Sequence, residues 1–373
     1  MSRIDELIKQ FCANGVPYMS VDEIFSISRG KVISKDYIKE NAGDYPVFSS
    51  QTENNGILGF ISTYAYDGEY LTWTTDGANA GTVFYRTGKF SVTNVCGLLE
   101  VKDKSILNAR FGYYVLNMVA PDYVNRGMGN PKLMSNVMGK IKLPIPSIQV
   151  QEEIVRILDN FTDLTAELQA ELKLRNKQYE EIAYRLLFDN HESEKRQIKD
   201  ICIITKGKSP IQKTEPGEYP MVVTTSERKS SSTYQFDDAA VCIPLVSSRG
   251  HGVASLNHVY YQEGKFALGN ILCAIVSKND NYVSMKYLYH YFECTKDYTL
   301  VPLMKGGANV SMHIPDIEKV RVPIPSIEKQ KEIISTLEIL GKYCFELLPA
   351  EIEARQKQYE FYRKKLLTFK EAV

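Results

Sequence analysis

Residues 142–154 read KLPIPSIQVQEEI and residues 321–333 read RVPIPSIEKQKEI, identical at eight of thirteen positions and separated by a constant offset of 179 in a chain of 373. One phrase written twice, half a chain apart, confines the molecule to an internally repeated architecture. Forward from each copy the likeness continues: KQYE recurs at 177 and 357, and leucine-rich endings follow both.

In the first copy Ile154, Leu158, Phe161, Thr165, Leu168, Leu172, Arg175, Tyr179, Ile182 and Leu186 step by four and three in turn. Eight of the ten are apolar, a coiled-coil seam about four heptads long. The second copy keeps the seam as Ile333, Leu337, Leu340, Cys344 and Leu347, then resumes at Ile352, Arg355, Tyr359, Tyr362 and Leu366. The offset changes from 179 to 180 at Pro349, and a kink or a helix restart there is expected to absorb the extra residue. Each helix follows a Pro-Ile-Pro stretch that cannot be helical, with Ser147 or Ser326 as the expected N-cap. About 40 helical residues span about 60 Å. Two such helices in one chain bury their seams most economically against each other, antiparallel if an approximate two-fold axis relates the repeats. The expected interface is Ile154, Leu158, Phe161, Leu168, Leu172 and Tyr179 against Ile333, Leu337, Leu340, Leu347, Ile352 and Tyr359. The alternative is that each helix caps only its own domain.

Backward from each phrase the repeat fades without vanishing. GKFSVTNVCGLL (88–99) meets GKFALGNILCAI (264–275), Tyr45-Pro46 meets Tyr219-Pro220, and GMGN (127–130) meets GGAN (306–309). Short β-rich runs, such as EYLTWTT and AVCIPLV, alternate with Gly- and Ser-rich turns, and each half carries one helical pattern, near NARFGYYVLNMV and MKYLYHYFEC. The expected fold class is α/β: two similar α/β domains separated by two long helices that form an antiparallel coiled coil, with a pseudo-two-fold internal repeat.

Composition limits function more than it assigns it. At 44% hydrophobic and 24% charged the chain reads as an ordinary globular protein, long enough for two or three domains and without an apolar run long enough to span a membrane. A cytoplasmic location is expected. Seven cysteines, odd in number and without a C-x-x-C pair, read as reduced core residues. The 45 basic residues are balanced by 45 acidic ones, so any role on DNA needs local patches or partners. There is no phosphate loop and no dinucleotide fingerprint, and the nearest approach to a methylase motif, Asn130-Pro131-Lys132-Leu133, lacks its aromatic residue. A nuclease set joining Pro121-Asp122 to Glu171-Leu172-Lys173 would fall on the exposed side of a coiled coil. His191, His251, His258, His290 and His313 lack metal-ligand spacing, so no metal is expected.

Polar loops carry the remaining signal. The first domain has VFSSQTENNG (47–56) and TTDGANAG (74–81), and the second has VVTTSERKSSS (222–232) and VSSRGHG (246–252). Gln, Asn, Arg and Ser side chains read base edges, and Gly-rich turns bring backbone amides to phosphates. Each loop alone also reads as a solvated turn; equivalent loops with different content in both domains favour recognition. The candidate DNA-binding residues are Ser49, Ser50, Gln51, Asn54, Asn55, Thr75 and Asn79 in the first domain, and Thr225, Ser226, Arg228, Lys229, Ser248, Arg249, His251 and Asn309 in the second.

The order of domain, Pro-Ile-Pro, long helix, written twice, resembles the specificity subunit of type I restriction-modification systems. The likeness is carried by LPIPSIQVQEEIVRILDNF, VPIPSIEKQKEI and LPAEIEARQKQYEFYRKKLLTF, and the opening IDELIKQFCANGVPYMSVDEI is also similar. The resemblance covers the whole chain, strongly in the helices and weakly in the domains. It implies a non-catalytic DNA reader without a cofactor of its own, recognising a bipartite, non-palindromic site in double-stranded DNA. By analogy Arg126, Lys132 and Lys305 contact phosphates.

On this reading 1–17 is an N-terminal helix, 18–143 the first target-recognition domain, 144–190 the central helix, 191–322 the second recognition domain and 323–373 the C-terminal helix. The implied partners are two methyltransferase subunits using S-adenosylmethionine, and restriction/translocase subunits using ATP and magnesium. Two other classes stay open: a stand-alone nuclease or methylase, and a coiled-coil scaffold without a role on DNA.

Overall fold

The structure is a computed structural model, and it describes residues 2–127, 129–188 and 193–372. The expected boundary at 190/191, His191 and the Met128 of GMGN lie outside the described residues. The chain divides into two compact units, Met1–Glu167 with Ile352–Val373, and Leu168–Glu351.

The first unit opens with a helix, Arg3–Phe11, started by a capping box between Ser2 and Asp5. Its six-stranded sheet runs in the order Phe25–Arg29, Cys96–Val101, Tyr66–Thr74, Val83–Val92, Ala42–Phe48, Ile57–Ile61. All pairings are antiparallel except that of Ala42–Phe48 with Val83–Val92, where Val47 faces Ser91. The helix Ala109–Val119 covers one face, sealing Phe25, Leu71, Trp73, Leu99, Phe111 and Val115 into the larger core. The other face closes over Phe48, Phe90, Val92, Cys96 and Leu98.

The second unit repeats this plan with its strands interrupted. The strand Val83–Val92 is answered by Tyr260–Gln262 and Lys265–Leu268, broken at Gly264, whose φ of 71° matches the 79° of Gly88. Glycine takes such a φ without strain, and both units place one at this point. Likewise Tyr66–Thr74 is answered by Phe236–Asp237 and Ala240–Pro244. The one six-stranded sheet thereby becomes two four-stranded sheets. The parallel pairing survives, with Met221 facing Ala267 as Val47 faces Ser91.

The central helix is one continuous element, Ile148–Phe188, of 41 residues. Its first half contributes Ile154 and Leu158 to the first unit's core, where the end of the C-terminal helix contributes Leu366 and Leu367 and Phe161 stacks on Tyr362 at 5.5 Å. Its second half contributes Ala183 and Leu187 to the other core, beside Ile333 and Leu337 from the start of the C-terminal helix. In each unit the start of one long helix lies against the end of the other, so the pairing is antiparallel. Tyr179 and Tyr359, the tyrosines of the two KQYE copies, pack on the second and first core respectively. The chain end also returns to the first unit: Val16 N–H donates to Lys370 O at 2.8 Å and Ala372 N–H to Val16 O at 2.9 Å.

Two expectations about the second helix need correction. The extra residue is absorbed before Pro349, in a π-helical turn at Tyr343–Leu347 whose following residue, Leu348, donates its N–H back to Tyr343 O. A π turn inserts one residue without breaking the helix, and the seam rotates accordingly. Leu347, expected inside, is 53% exposed, while Leu348 is 4% exposed. Leu340, Leu168 and Leu172 are half-buried. At the helix starts, Ser326 Oγ accepts from Lys329 N–H at 3.3 Å, whereas Ser147 Oγ is buried without a hydrogen-bond partner among the described residues.

Each α/β body is fastened to its own long helix in the same way. Arg110 pairs with Asp159 at 2.9 Å in the first unit, and Lys286 pairs with Glu338 at 2.9 Å in the second. The Arg110 guanidinium also lies 4.6 Å from the Tyr85 ring centroid, and the Lys286 ammonium 5.8 Å from that of Tyr261.

Candidate nucleic-acid interface

In the first unit three loops are tied together. Asn79 Nδ2 donates to Thr52 Oγ1 at 2.8 Å, joining the 74–81 turn to the 49–56 loop. Gly77 N–H donates to Pro131 O at 3.0 Å and Leu133 N–H to Thr75 O at 2.8 Å, bringing in the segment 125–133. Beneath them the buried Trp73 indole donates to Leu133 O at 2.9 Å. Asn54, Asn55 and Gly56 hold three successive positive φ values, 48°, 52° and 77°. Asparagine is among the few residues that tolerate this region, and the turn leaves both Asn side chains exposed.

Gln51, Asn54, Asn55, Asn79, Arg126 and Lys132 are all exposed, and Ser49 and Ser50 are half-buried. Gln51 Nε2 donates to Ile57 O, bracing its own loop. Thr75, the remaining candidate here, lies inside its turn. It is fully buried, and its hydroxyl bonds Asp76 Oδ2 at 2.9 Å and Val95 O at 3.0 Å, so it supports the turn from inside and presents no free group.

In the second unit the loop 246–256 is organised around two serines. Ser247 Oγ donates to Val253 O at 2.5 Å and accepts from Arg249 N–H at 3.2 Å, and Ser248 Oγ accepts from Asn257 N–H at 2.9 Å. Ser247 N–H donates to Val310 O, and Lys305 exchanges backbone bonds with Ser311, so the segment 305–311 lies alongside. Ser248, Arg249, His251, Lys305 and Asn309 are exposed. His251 turns the chain at a φ of 59°. Lys305 Nζ lies 3.8 Å from Asp316 with 73% of its side chain exposed, a weak tie.

Thr225, Ser226 and Lys229 are exposed on the remaining loop, where Lys229 Nζ reaches Ile211 O at 3.3 Å. Arg228, the remaining candidate of this loop, is tied down within its own unit. Its guanidinium donates to Gln262 Oε1 at 3.1 Å and Tyr261 O at 3.2 Å, and lies 5.1 Å from the Tyr260 ring centroid.

Arg86 plays the matching part in the first unit, although it lies in a strand outside every polar loop that the sequence singles out. It occupies the repeat position of Gln262, is 3% exposed, donates to Thr72 Oγ1 at 3.2 Å, and lies 3.7 and 4.4 Å from the Phe48 and Phe84 ring centroids. Burial pulls its pKa down to about 10. One unit thus supplies the guanidinium from the sheet and the other from the loop, an exchange invisible while the repeat is compared position by position.

No group of three or more His, Cys, Asp or Glu side chains among the described residues is arranged to hold a metal ion. All seven cysteines are free, and burial pushes the thiols of Cys202 and Cys273 up to about 12, which suits core residues and not nucleophiles. No helix among the described residues is long and apolar enough to cross a membrane.

Comparison with known proteins is consistent over most of the chain. A family model described as the type I restriction modification DNA specificity domain matches residues 15–174 and again 190–355. A protein of Mycoplasma pneumoniae named as a type I specificity subunit, S.MpnORF507P, is 35% identical over 364 residues, covering 93% of this chain and 96% of the relative. The specificity subunit of the type I restriction enzyme MpnII from the same organism is 42% identical over 179 residues, 46% of this chain and 54% of the relative. The crystal structure of a type I restriction-modification S subunit from M. genitalium superposes with a TM-score of 0.59 at 15% identity, covering 95% of this chain and 96% of that one. The HsdS subunit from Thermoanaerobacter tengcongensis gives 0.52 at 12% identity, with the same coverage. At these identities the two structures speak for the fold alone.

Proposed function

The chain belongs to the type I restriction-modification specificity (S) subunits, non-catalytic components that recognise DNA targets within the restriction-modification complex, and from that premise we propose how this one reads its site. Residues 18–143 and 191–322 are the two target-recognition domains, each docking in the major groove at one half of a bipartite, non-palindromic sequence. The first reads through Gln51, Asn54, Asn55 and Asn79, the second through Ser248, Arg249, His251 and Asn309, with Thr225 and Ser226 beside them. Arg126, Lys132, Lys229 and Lys305 contact phosphates, while Thr75, Arg86 and Arg228 hold the reading loops from beneath.

The helices of residues 144–190 and 323–373 set the gap between half-sites and dock two methyltransferase subunits. Those subunits supply adenine methylation from S-adenosylmethionine, and restriction/translocase subunits supply ATP- and magnesium-dependent cleavage, all in the cytoplasm. The charge balance of 45 to 45 fits a reader whose partners neutralise much of the phosphate charge.

The observation that carries this reading is that both units keep one framework and change the loops. The ion pair to the long helix and the parallel strand pairing are common to both, while 49–56 and 74–81 share little with 223–232 and 246–252. A methylation map of cells expressing the chain with its methyltransferase subunits tests it. Two different half-sites with a fixed gap are expected, and a single continuous palindrome would sink the proposal.

A further inference from the structure

Away from the reading loops, the two units share a second constellation that the recognition reading does not use. The strand Phe25–Arg29 runs out into Gly30-Lys31, and Cys202–Lys206 into Gly207-Lys208. Both glycines are dictated by close approach: a Cβ at Gly30 would lie 2.0 Å from Val92 O, and one at Gly207 would lie 2.1 Å from Gly269 O. Each turn bonds the matching carbonyl, Gly30 N–H to Cys96 O and Gly207 N–H to Leu272 O. The lysine that follows lines a surface cleft, of about 360 Å³ in the first unit and about 640 Å³ in the second.

The same clefts are lined by Thr63-Tyr64 in one and Thr233-Tyr234 in the other. Tyr64 packs edge-on to Tyr45 at 5.0 Å, and Tyr234 lies 5.0 Å from Tyr219. A second lysine sits over each exposed ring, Lys89 at 4.7 Å and Lys265 at 5.0 Å. None of Lys31, Lys89, Lys208 and Lys265 forms an ion pair with another described residue, and Glu215 is the single carboxylate among the described residues lining the second cleft.

The strands that lead into the clefts also reach the segments beside the polar loops. Arg29 Nη2 reaches Met134 Sδ at 3.5 Å, just past the 125–133 segment, and Lys206 lines a cavity with Val246, Ser311 and His313. Residues that differ between the units serve what differs between half-sites, and those that recur serve what the half-sites share. Two DNA sequences share the sugar-phosphate backbone, which ammonium, phenol and threonine hydroxyl groups bind without reading a base.

We propose that the clefts beside Lys31 and Lys208 each seat a DNA backbone phosphate, positioning the recognition domain without contributing to sequence choice. This rests on the target-recognition reading. The test uses the full chain in complex with its methyltransferase subunits, on a duplex carrying the mapped site and on an unrelated duplex, across a salt series. Lys31→Gln with Lys89→Gln, and separately Lys208→Gln with Lys265→Gln, should weaken binding to both duplexes several-fold. The slope of log affinity against log salt should become shallower by about 0.9 for each phosphate that the variant no longer neutralises, with the methylated sequence unchanged. Altered preference at one base pair would make the cleft a base reader and overturn the proposal. So would unchanged DNA binding, whether the methyltransferase subunits dissociate, which marks a protein-docking surface, or everything is retained. Absence of specific binding by the unmodified complex would overturn the recognition reading itself, and the proposal with it.

Discussion

Gln151 and Gln330, 179 residues apart, make the same three hydrogen bonds. Gln151 Oε1 accepts from Asn108 N–H at 2.8 Å while its Nε2 donates to Ile106 O and Pro146 O, both at 2.8 Å. Gln330 Oε1 accepts from Ser284 N–H at 2.8 Å and its Nε2 donates to Tyr282 O and Pro325 O, both at 2.9 Å. Both side chains are completely buried. Each ties the entry of its domain helix to the Pro-Ile-Pro turn that opens the long helix, satisfying backbone groups that the prolines and the loop leave unpaired.

The glutamines should therefore be costly to remove. Gln151→Met keeps the volume but leaves one N–H and two carbonyls unpaired, for an expected loss of about 3 kcal/mol. Gln330→Met should cost about the same, and because the two sites lie in separate units the double variant should be additive. Urea denaturation of the full chain measures this. A loss below about 1 kcal/mol in either single variant would show that water or a shifted loop replaces the clamp.

The π turn makes a sharp distinction between neighbours. Leu348→Asp puts a charge into the seam and should cost several kcal/mol, or part the helices. Leu347→Asp alters an exposed position and should stay within about 0.5 kcal/mol of the parent. Circular dichroism and thermal melting of the two variants side by side decide it. The reverse order would restore an unbroken heptad register.

Arg249 and Arg228 should fail differently. The Arg249 side chain is exposed at the tip of its loop, so Arg249→Ala is expected to cost about 1–3 kcal/mol at one base pair if it reads a guanine edge. Arg228 is bound to Gln262 and Tyr261, so Arg228→Ala should loosen its loop and relax discrimination at several positions of the same half-site. Binding selections on randomised half-sites separate the outcomes; a single-position effect from Arg228→Ala would show that it leaves Gln262 to reach a base.

The bipartite reading predicts modular behaviour. Exchanging residues 18–143 for the equivalent domain of another family member should change one half-site and leave the other intact. Inserting one heptad into both long helices should lengthen the gap by the added rise of about 10 Å, about three base pairs, without altering either half. Methylation mapping of each variant provides the measurement, and a simultaneous change in both half-sites would contradict independent domains.

What could be learned from residue order alone was whatever repeats along the chain. The duplicated Pro-Ile-Pro phrase, the four-and-three stepping from Ile154 to Leu186 and the paired polar loops are local patterns, and local patterns set helices, turns and the architecture they imply. Tertiary structure decided what depends on neighbours distant in the chain. The burial of Leu348 instead of Leu347 follows from a wide turn that heptad counting cannot see. Thr75 is held inside its turn by a hydrogen bond to Val95, twenty residues on. Arg86 in one unit and Arg228 in the other set a guanidinium over equivalent aromatic rings, Phe84 and Tyr260, from unlike sequence positions. The clefts beside Lys31 and Lys208 each assemble from several short segments, none long enough to carry a pattern. Periodicity reports which face of an element is apolar, but which polar group remains free depends on what the rest of the fold brings against it.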